Sequence, residues 1–293
     1  MPEAREENTQ SAYHTAKFGA SASIDRDIFE AMRRYLVEDL GRGSEEAFDR
    51  ARSEISREIP RAVLGWLSRC GIAIEGKTVL DLGAGLGGMS EELMLRGASV
   101  AAVEPGAAFA DIAKRRLERH AGSFKVFQAF GESLPMPDQS VDLVVSWRVL
   151  EHVRNPRQVL AEVWRVLRPG GQFYLSCENY LAFREAHYGV AWFPMLPKTL
   201  GAIYLRIRGR SPRFLQQAVT YTTYPRVLRD CRELGFVRRR DEEIADSLRT
   251  KPGAYWRTLR LLSKLTNGNG PLVLDRLART FSFGLTELFR KPG

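Results

Sequence analysis

Thr78-Val79-Leu80-Asp81-Leu82-Gly83-Ala84-Gly85-Leu86-Gly87 is the stretch that decides the fold. A short, mainly apolar run passes without a break into three glycines, and helical spacing begins beyond Gly87. A buried strand that feeds a tight turn and then a helix opens a βαβ unit. Glycine suits such a turn, because a side chain would block close backbone approach to a ligand and tight turns often require positive φ.

The same rhythm continues on the C-terminal side. Strands are expected at about 78–82, 99–103, 125–128, 143–146 and 172–177, with helices near 87–96, 107–120 and 156–167. Short apolar strands alternating with helices imply a Rossmann-like, doubly wound α/β fold with a mostly parallel sheet. On the N-terminal side, 1–22 reads as a polar arm, and helical patterns over 24–40 and 45–66 are placed to close over the first strand. After the fifth strand the rhythm breaks: 180–224 holds nine of the chain's 29 aromatic residues, punctuated by Pro194, Pro197 and Pro212. Such a stretch is too long for a passive connection and reads as a subdomain on the substrate side. A helix over 225–234 then leads through Gly235 and Phe236 back to the sheet, and helices near 254–265 and 272–289 are expected around the breaker 267–271. The expected organisation is 1–70 arm and helices, 71–178 nucleotide-binding core, 179–224 aromatic and basic insertion, 225–250 end of the sheet and 251–293 basic C-terminal helices.

Glu104 ends the second strand, where a carboxylate can accept from both ribose hydroxyls. Gly83, Gly85 and Gly88 satisfy G-x-G-x-x-G with Glu104 21 residues past Gly83, so a nicotinamide dinucleotide fits these residues nearly as well as another nucleoside cofactor. Three further features separate the two. Asp81 stands two residues before Gly83, Gly131-Glu132-Ser133-Leu134-Pro135 leads to a fourth strand, and Leu167-Arg168-Pro169-Gly170-Gly171 precedes a fifth. In order and spacing these resemble the class I S-adenosylmethionine-dependent methyltransferases, closest to the branch containing quinone and small-molecule enzymes, over about 78–177. The resemblance implies S-adenosylmethionine as cofactor. It would set Asp81, Gly83, Ala84, Gly85 and Gly87 on the methionine and ribose side, Glu104 on the ribose, Gly131 and Glu132 at the adenine edge, and Ser146 below the sulfonium. The position before Gly131, commonly aspartate in that family, is Phe130 here, which leaves the adenine to backbone, Glu132 or stacking.

Methyl transfer to an oxygen needs a proton acceptor, and ligands of open α/β sheets bind outside the carboxyl ends of the strands. That draws attention to His152, Glu178, Asn179, His187 and Tyr188, with His187, His152 and Tyr188 the catalytic candidates; each can equally be a packed or hydrogen-bonded structural residue. The expected acceptor is a small molecule, a hydroxyl of a saccharide or lipid-linked intermediate, with a quinone, lipid or polyketide-like metabolite as the alternative and a non-catalytic S-adenosylmethionine-binding scaffold as a second.

Charge is uneven: of the net +9, residues 198–293 carry +12 and 1–197 carry −3. The basic half suits an anionic or lipid-linked partner, or a solvated face with no task. A C-terminal helix aligning Leu274, Leu277, Ala278, Phe281, Leu285 and Leu288 would suit peripheral membrane contact or packing on the domain. No nucleic-acid partner is expected, for want of a zinc pattern or RNA-binding signature. Cys70, Cys177 and Cys231 have neither disulfide-framework nor metal-ligand spacing, so no metal is expected. No membrane-spanning run or leader pattern is visible, making a cytoplasmic location the default expectation.

Overall fold

A computed structural model of the chain describes residues 23–40, 44–241, 261, 263–266, 269–280, 282 and 284–293. Three helices lead in: α1 (Ser23–Arg33), prolonged by a π-helical stretch Arg34–Asp39, α2 (Ser44–Ser56) and α3 (Glu58–Arg69). The α/β core follows as β1 (Thr78–Leu82), α4 (Gly88–Leu95), β2 (Ser99–Val103), α5 (Ala107–Leu117), β3 (Phe124–Phe127), β4 (Val141–Trp147), α6 (Pro156–Val166) and β5 (Leu167–Glu178). The insertion holds a small hairpin, β6 (Arg184–Glu185) and β7 (Val190–Ala191), then α7 (Lys198–Ile207) and α8 (Arg213–Ala218). The remaining elements are α9 (Tyr224–Glu233), β8 (Val237–Arg238), α10 (Gly270–Arg279) and β9 (Gly284–Arg290).

The strands form one sheet in the order β3-β2-β1-β4-β5-β9-β8, with β1 to β5 parallel and β9 antiparallel to both its neighbours. Alternation along β1 and β4 explains why both faces are dry. Leu80, Leu82 and Val144 join the cluster beneath α6 and α9, whereas Val79, Leu143 and Val145 join the one beneath α3 and α4. The strand order reverses between β1 and β4, which opens a crevice at their carboxyl ends.

That crevice is roofed by the N-terminal helices. Ile24 and Ile28 of α1 pack with Leu86 and Ile112 of the core, and Leu36 and Leu40 complete the apolar cluster of the insertion with Tyr188, Trp192 and Leu215. The insertion therefore shares its core with the first helix and is not a separate subdomain. Arg116, fully buried on α5, anchors the roof: it donates to Glu91 on α4 (2.6 Å) and to the backbone carbonyl of Glu54 on α2 (2.9 Å).

The C-terminal expectation is overturned. The helix read over 272–289 stops at Arg279, and Gly284–Arg290 is instead the strand β9, paired to β5 from Gly284 opposite Glu178 to Arg290 opposite Gln172. Leu285 and Phe289 pack on one face of the sheet and Leu288 on the other, so Leu285 and Leu288 do not share the face of a helix. The sheet accordingly ends in 284–290, and no membrane-facing stripe runs through Leu285 and Leu288. Of the helix expected at 254–265, only 261 and 263–265 fall among the described residues, and these are helical.

Candidate active site

A cavity of about 1260 Å³ occupies the crevice. One end is walled by Asp81, Gly83, Ala84, Gly85 and Glu104, the other by Trp147, Arg148, His152 and His187, with α1 above. Gly83 and Gly85 both have φ in the left-handed region, +74° and +53°, but their surroundings differ. A Cβ on Gly83 would stand 2.3 Å from Val149 Cγ2, whereas one on Gly85 would meet nothing within 4 Å. Gly83 is thus required by packing, and Gly85 leaves open the face that a ligand can approach.

Glu104 fixes the loop. Its two carboxylate oxygens accept from Gly85 N–H (3.0 Å) and Gly106 N–H (2.9 Å), and burial pushes its pKa up against those bonds. Asp81 is buried, accepts from the Ser90 hydroxyl at 2.5 Å, and is raised by burial to about 7. Ser146, the penultimate residue of β4 and opposite Leu82, is absent from the cavity wall, its hydroxyl buried and without a partner. Gly87 also stands off the wall: a Cβ there would lie 2.9 Å from Ala113 Cα, so this glycine serves the packing of α5. Gly131 and Glu132 line the cavity, but one Glu132 oxygen is committed to the backbone N–H groups of Arg154 (2.9 Å) and Asn155 (3.2 Å). Phe130 lines it too and is 62% exposed.

At the other end His152 and His187 meet, with Nε2 to Nε2 3.3 Å and rings inclined at 70°. His187 Nδ1 faces a carboxylate oxygen of Glu185 at 2.9 Å, and His152 Nδ1 faces the Ala218 carbonyl at 2.8 Å. Burial and then the neighbouring His187 lower His152 to about 4, although its ring reaches solvent through the cavity. Burial alone would raise the Glu185 carboxyl, but its hydrogen bond and charge interaction with His187 hold it below the usual range. Tyr188 is placed otherwise than the sequence suggested: it is buried in the insertion's core, and its hydroxyl accepts the Leu215 N–H at 3.1 Å. Asn179 spends its amide on the Thr280 and Ser282 carbonyls, and Glu178 pairs with Arg148, so neither reaches the cavity wall.

Three participants escaped the sequence reading. Arg148 takes φ +56° directly after β4, an uncommon backbone for a non-glycine residue and a mark of functional sites. Trp147 walls the cavity and lies under the Arg148 guanidinium at 5.9 Å. Glu185 orients His187. No local sequence signal encodes any of these, because each depends on a backbone angle or a contact between distant segments.

A methyltransferase domain family model matches residues 80–175. An uncharacterised methyltransferase of Mycobacterium ulcerans is 39% identical over 116 residues, 40% of this chain and 45% of that protein. A ubiquinone biosynthesis O-methyltransferase of Pseudomonas putida is 36% identical over 110 residues, 37% of this chain and 47% of that protein. The chain thus spans about half the length of the curated relatives it matches. Among solved structures, an S-adenosylmethionine-dependent methyltransferase from Mesorhizobium loti aligns with TM-score 0.48 and 20% identity, over 75% of this chain and 93% of that one. The segment that carries β1 through most of β5, and with them the glycine-loop wall of the cavity, belongs to the class I S-adenosylmethionine-dependent methyltransferases.

Proposed function

We propose that the chain transfers a methyl group from S-adenosylmethionine to a hydroxyl of a small molecule. The observation that carries this reading is that one cavity joins the glycine loop and Glu104 to the His152–His187 pair. The residues fit the cofactor. Gly85 offers an open backbone face, Glu104 retains acceptor capacity for ribose hydroxyls, the exposed Phe130 side chain can stack on adenine, and the buried Ser146 hydroxyl is without a partner. Asp81, raised by burial to about 7, has its ionised form favoured by a cationic ligand beside it. When bound, the cofactor supplies an electrophilic methyl group on a sulfonium; alignment, water exclusion and treatment of the acceptor's proton fall to the protein. The acceptor-side wall offers that hydroxyl two imidazole nitrogens.

A saccharide or lipid-linked acceptor agrees with the insertion's surface. Leu200, Ile203 and Ile207 stand 54%, 52% and 78% exposed on α7, with the exposed Arg206 and Arg208 beside them, an amphipathic arrangement suited to an apolar chain or an interface with anionic groups. A quinone or related metabolite is the second reading, favoured by relatives named for ubiquinone biosynthesis. Calorimetric titration with S-adenosylmethionine, S-adenosylhomocysteine, NAD and NADP tests the cofactor. The first two should bind selectively, and Glu104→Ala should weaken them about 10-fold or more, since charge-assisted bonds to the loop are lost. Binding of a dinucleotide instead would overturn the reading, and cofactor binding without turnover of any hydroxyl acceptor would favour a scaffold.

A further inference from the structure

His152 and His187 are arranged in a way that neutral imidazoles alone do not explain. The Ala218 carbonyl can only accept a hydrogen bond, as can the Glu185 carboxylate, so both Nδ1 atoms carry their hydrogens. In the neutral rings both Nε2 atoms are then lone pairs, and these face one another at 3.3 Å. Two lone pairs at that distance require a positive charge between them.

Glu151 decides what kind of charge. It is fully buried on the short turn Leu150–His152, and neither of its carboxylate oxygens makes a well-formed hydrogen bond, the backbone N–H groups of Glu151 and Glu178 being its weak polar neighbours. Ligand atoms from Glu151, His152 and His187 all lie within 4.8 Å of one another. A shared proton would satisfy the two imidazoles and leave the buried carboxylate without a well-formed bond of its own. A divalent cation held by the two imidazoles would supply the carboxylate's counter-charge, and a small movement of Glu151 from within 4.8 Å would complete the coordination. Tetrahedral coordination at about 2.0–2.1 Å puts two ligating nitrogens about 3.3–3.4 Å apart, the spacing seen here. The Glu185–His187 and Ala218–His152 contacts are the outer bonds that fix ligating rings in other metal sites.

We infer that Glu151, His152 and His187 form a binding site for a divalent transition-metal cation at the acceptor end of the cavity. Two imidazoles and one carboxylate favour zinc, iron, cobalt or manganese over magnesium or calcium. Because His152 and His187 line the cavity, the remaining coordination position faces the acceptor. The catalytic consequence rests on the proposed transfer to a hydroxyl: coordination there would acidify the acceptor oxygen, its proton passing to water, and the imidazoles would serve as ligands.

The test is titration of the tag-free protein, stripped with chelator, with cobalt(II) and zinc(II), read by calorimetry and by ligand-field absorption. One equivalent should bind. His187→Ala and Glu151→Gln should each weaken binding more than 10-fold, and Glu185→Gln, which leaves all three ligands in place, by about 10-fold. S-adenosylhomocysteine affinity of the same stripped samples should be unchanged. Absence of saturable binding to the wild type, or equal binding by His187→Ala and Glu151→Gln, overturns the site. Loss of S-adenosylhomocysteine binding with intact metal binding would instead overturn the proposed function.

Discussion

Two glycines two residues apart, Gly83 and Gly85, should fail in opposite ways when each becomes alanine. At both positions a left-handed alanine costs about 1–2 kcal/mol. At Gly83 the new Cβ also collides with Val149 Cγ2 at 2.3 Å, which adds roughly 1–3 kcal/mol of overpacking. At Gly85 there is no neighbour within 4 Å, so stability bears only the backbone cost. With a shift of about 2–4 °C per kcal/mol, Gly83→Ala should lower Tm by about 4–20 °C and Gly85→Ala by about 2–8 °C. The ligand tells the reverse story. The Gly85 methyl group would stand in the space that the ligand's backbone approach requires, so S-adenosylhomocysteine affinity should fall more than 10-fold in Gly85→Ala at a temperature where it remains folded. Scanning calorimetry of the free proteins followed by isothermal titration measures both. If Gly85→Ala binds as tightly as wild type, the open face is not the ligand face; if Gly83→Ala is no less stable than Gly85→Ala, the Val149 contact does not constrain the turn.

The buried Asp81 carboxyl, raised to about 7, binds a proton in the folded protein at pH values where the unfolded chain, near 3.9, has released it. Free-protein stability should therefore fall as pH rises from about 4 to about 7, by an amount on the order of 3–4 kcal/mol, and Asp81→Asn should remove that component; parallel wild-type and variant curves from chemical denaturation would refute it. Phe289, 2% exposed and packed on Phe173 and Phe236, should cost about 3–5 kcal/mol as alanine, where a residue on an exposed helix would cost almost nothing; urea unfolding distinguishes the two. Lys291 donates to the Trp164 and Leu167 carbonyls at 2.8 Å each and lies 4.8 Å from the Trp164 ring centroid, so Lys291→Ala should destabilise by about 1–3 kcal/mol in the same assay.

What the sequence disclosed was what its local pattern encodes. β1 and β2 lie where read because a five-residue apolar run bounded by a glycine turn or an acidic end is legible without knowing its neighbours. β9 was not, since a strand buried on both faces loses its alternation: Leu285, Leu288 and Phe289 satisfy helical spacing as well as they fill two sides of a sheet. Gly87 illustrates a subtler limit, for it belongs to the glycine motif yet meets Ala113, and no spacing distinguishes a glycine kept for a ligand from one kept for a helix. Tyr188 fails in the same manner, since its neighbour His187 reaches the cavity while its own hydroxyl is consumed by Leu215. The acceptor end was the least legible of all. Its ligand set spans 35 residues between two histidines, and the protonation that makes their nitrogens face each other as lone pairs is dictated by Glu185 and by the carbonyl of Ala218. Glu151 and His152 are adjacent in sequence, but only the fold buries that carboxylate, without a well-formed hydrogen bond, beside two such rings.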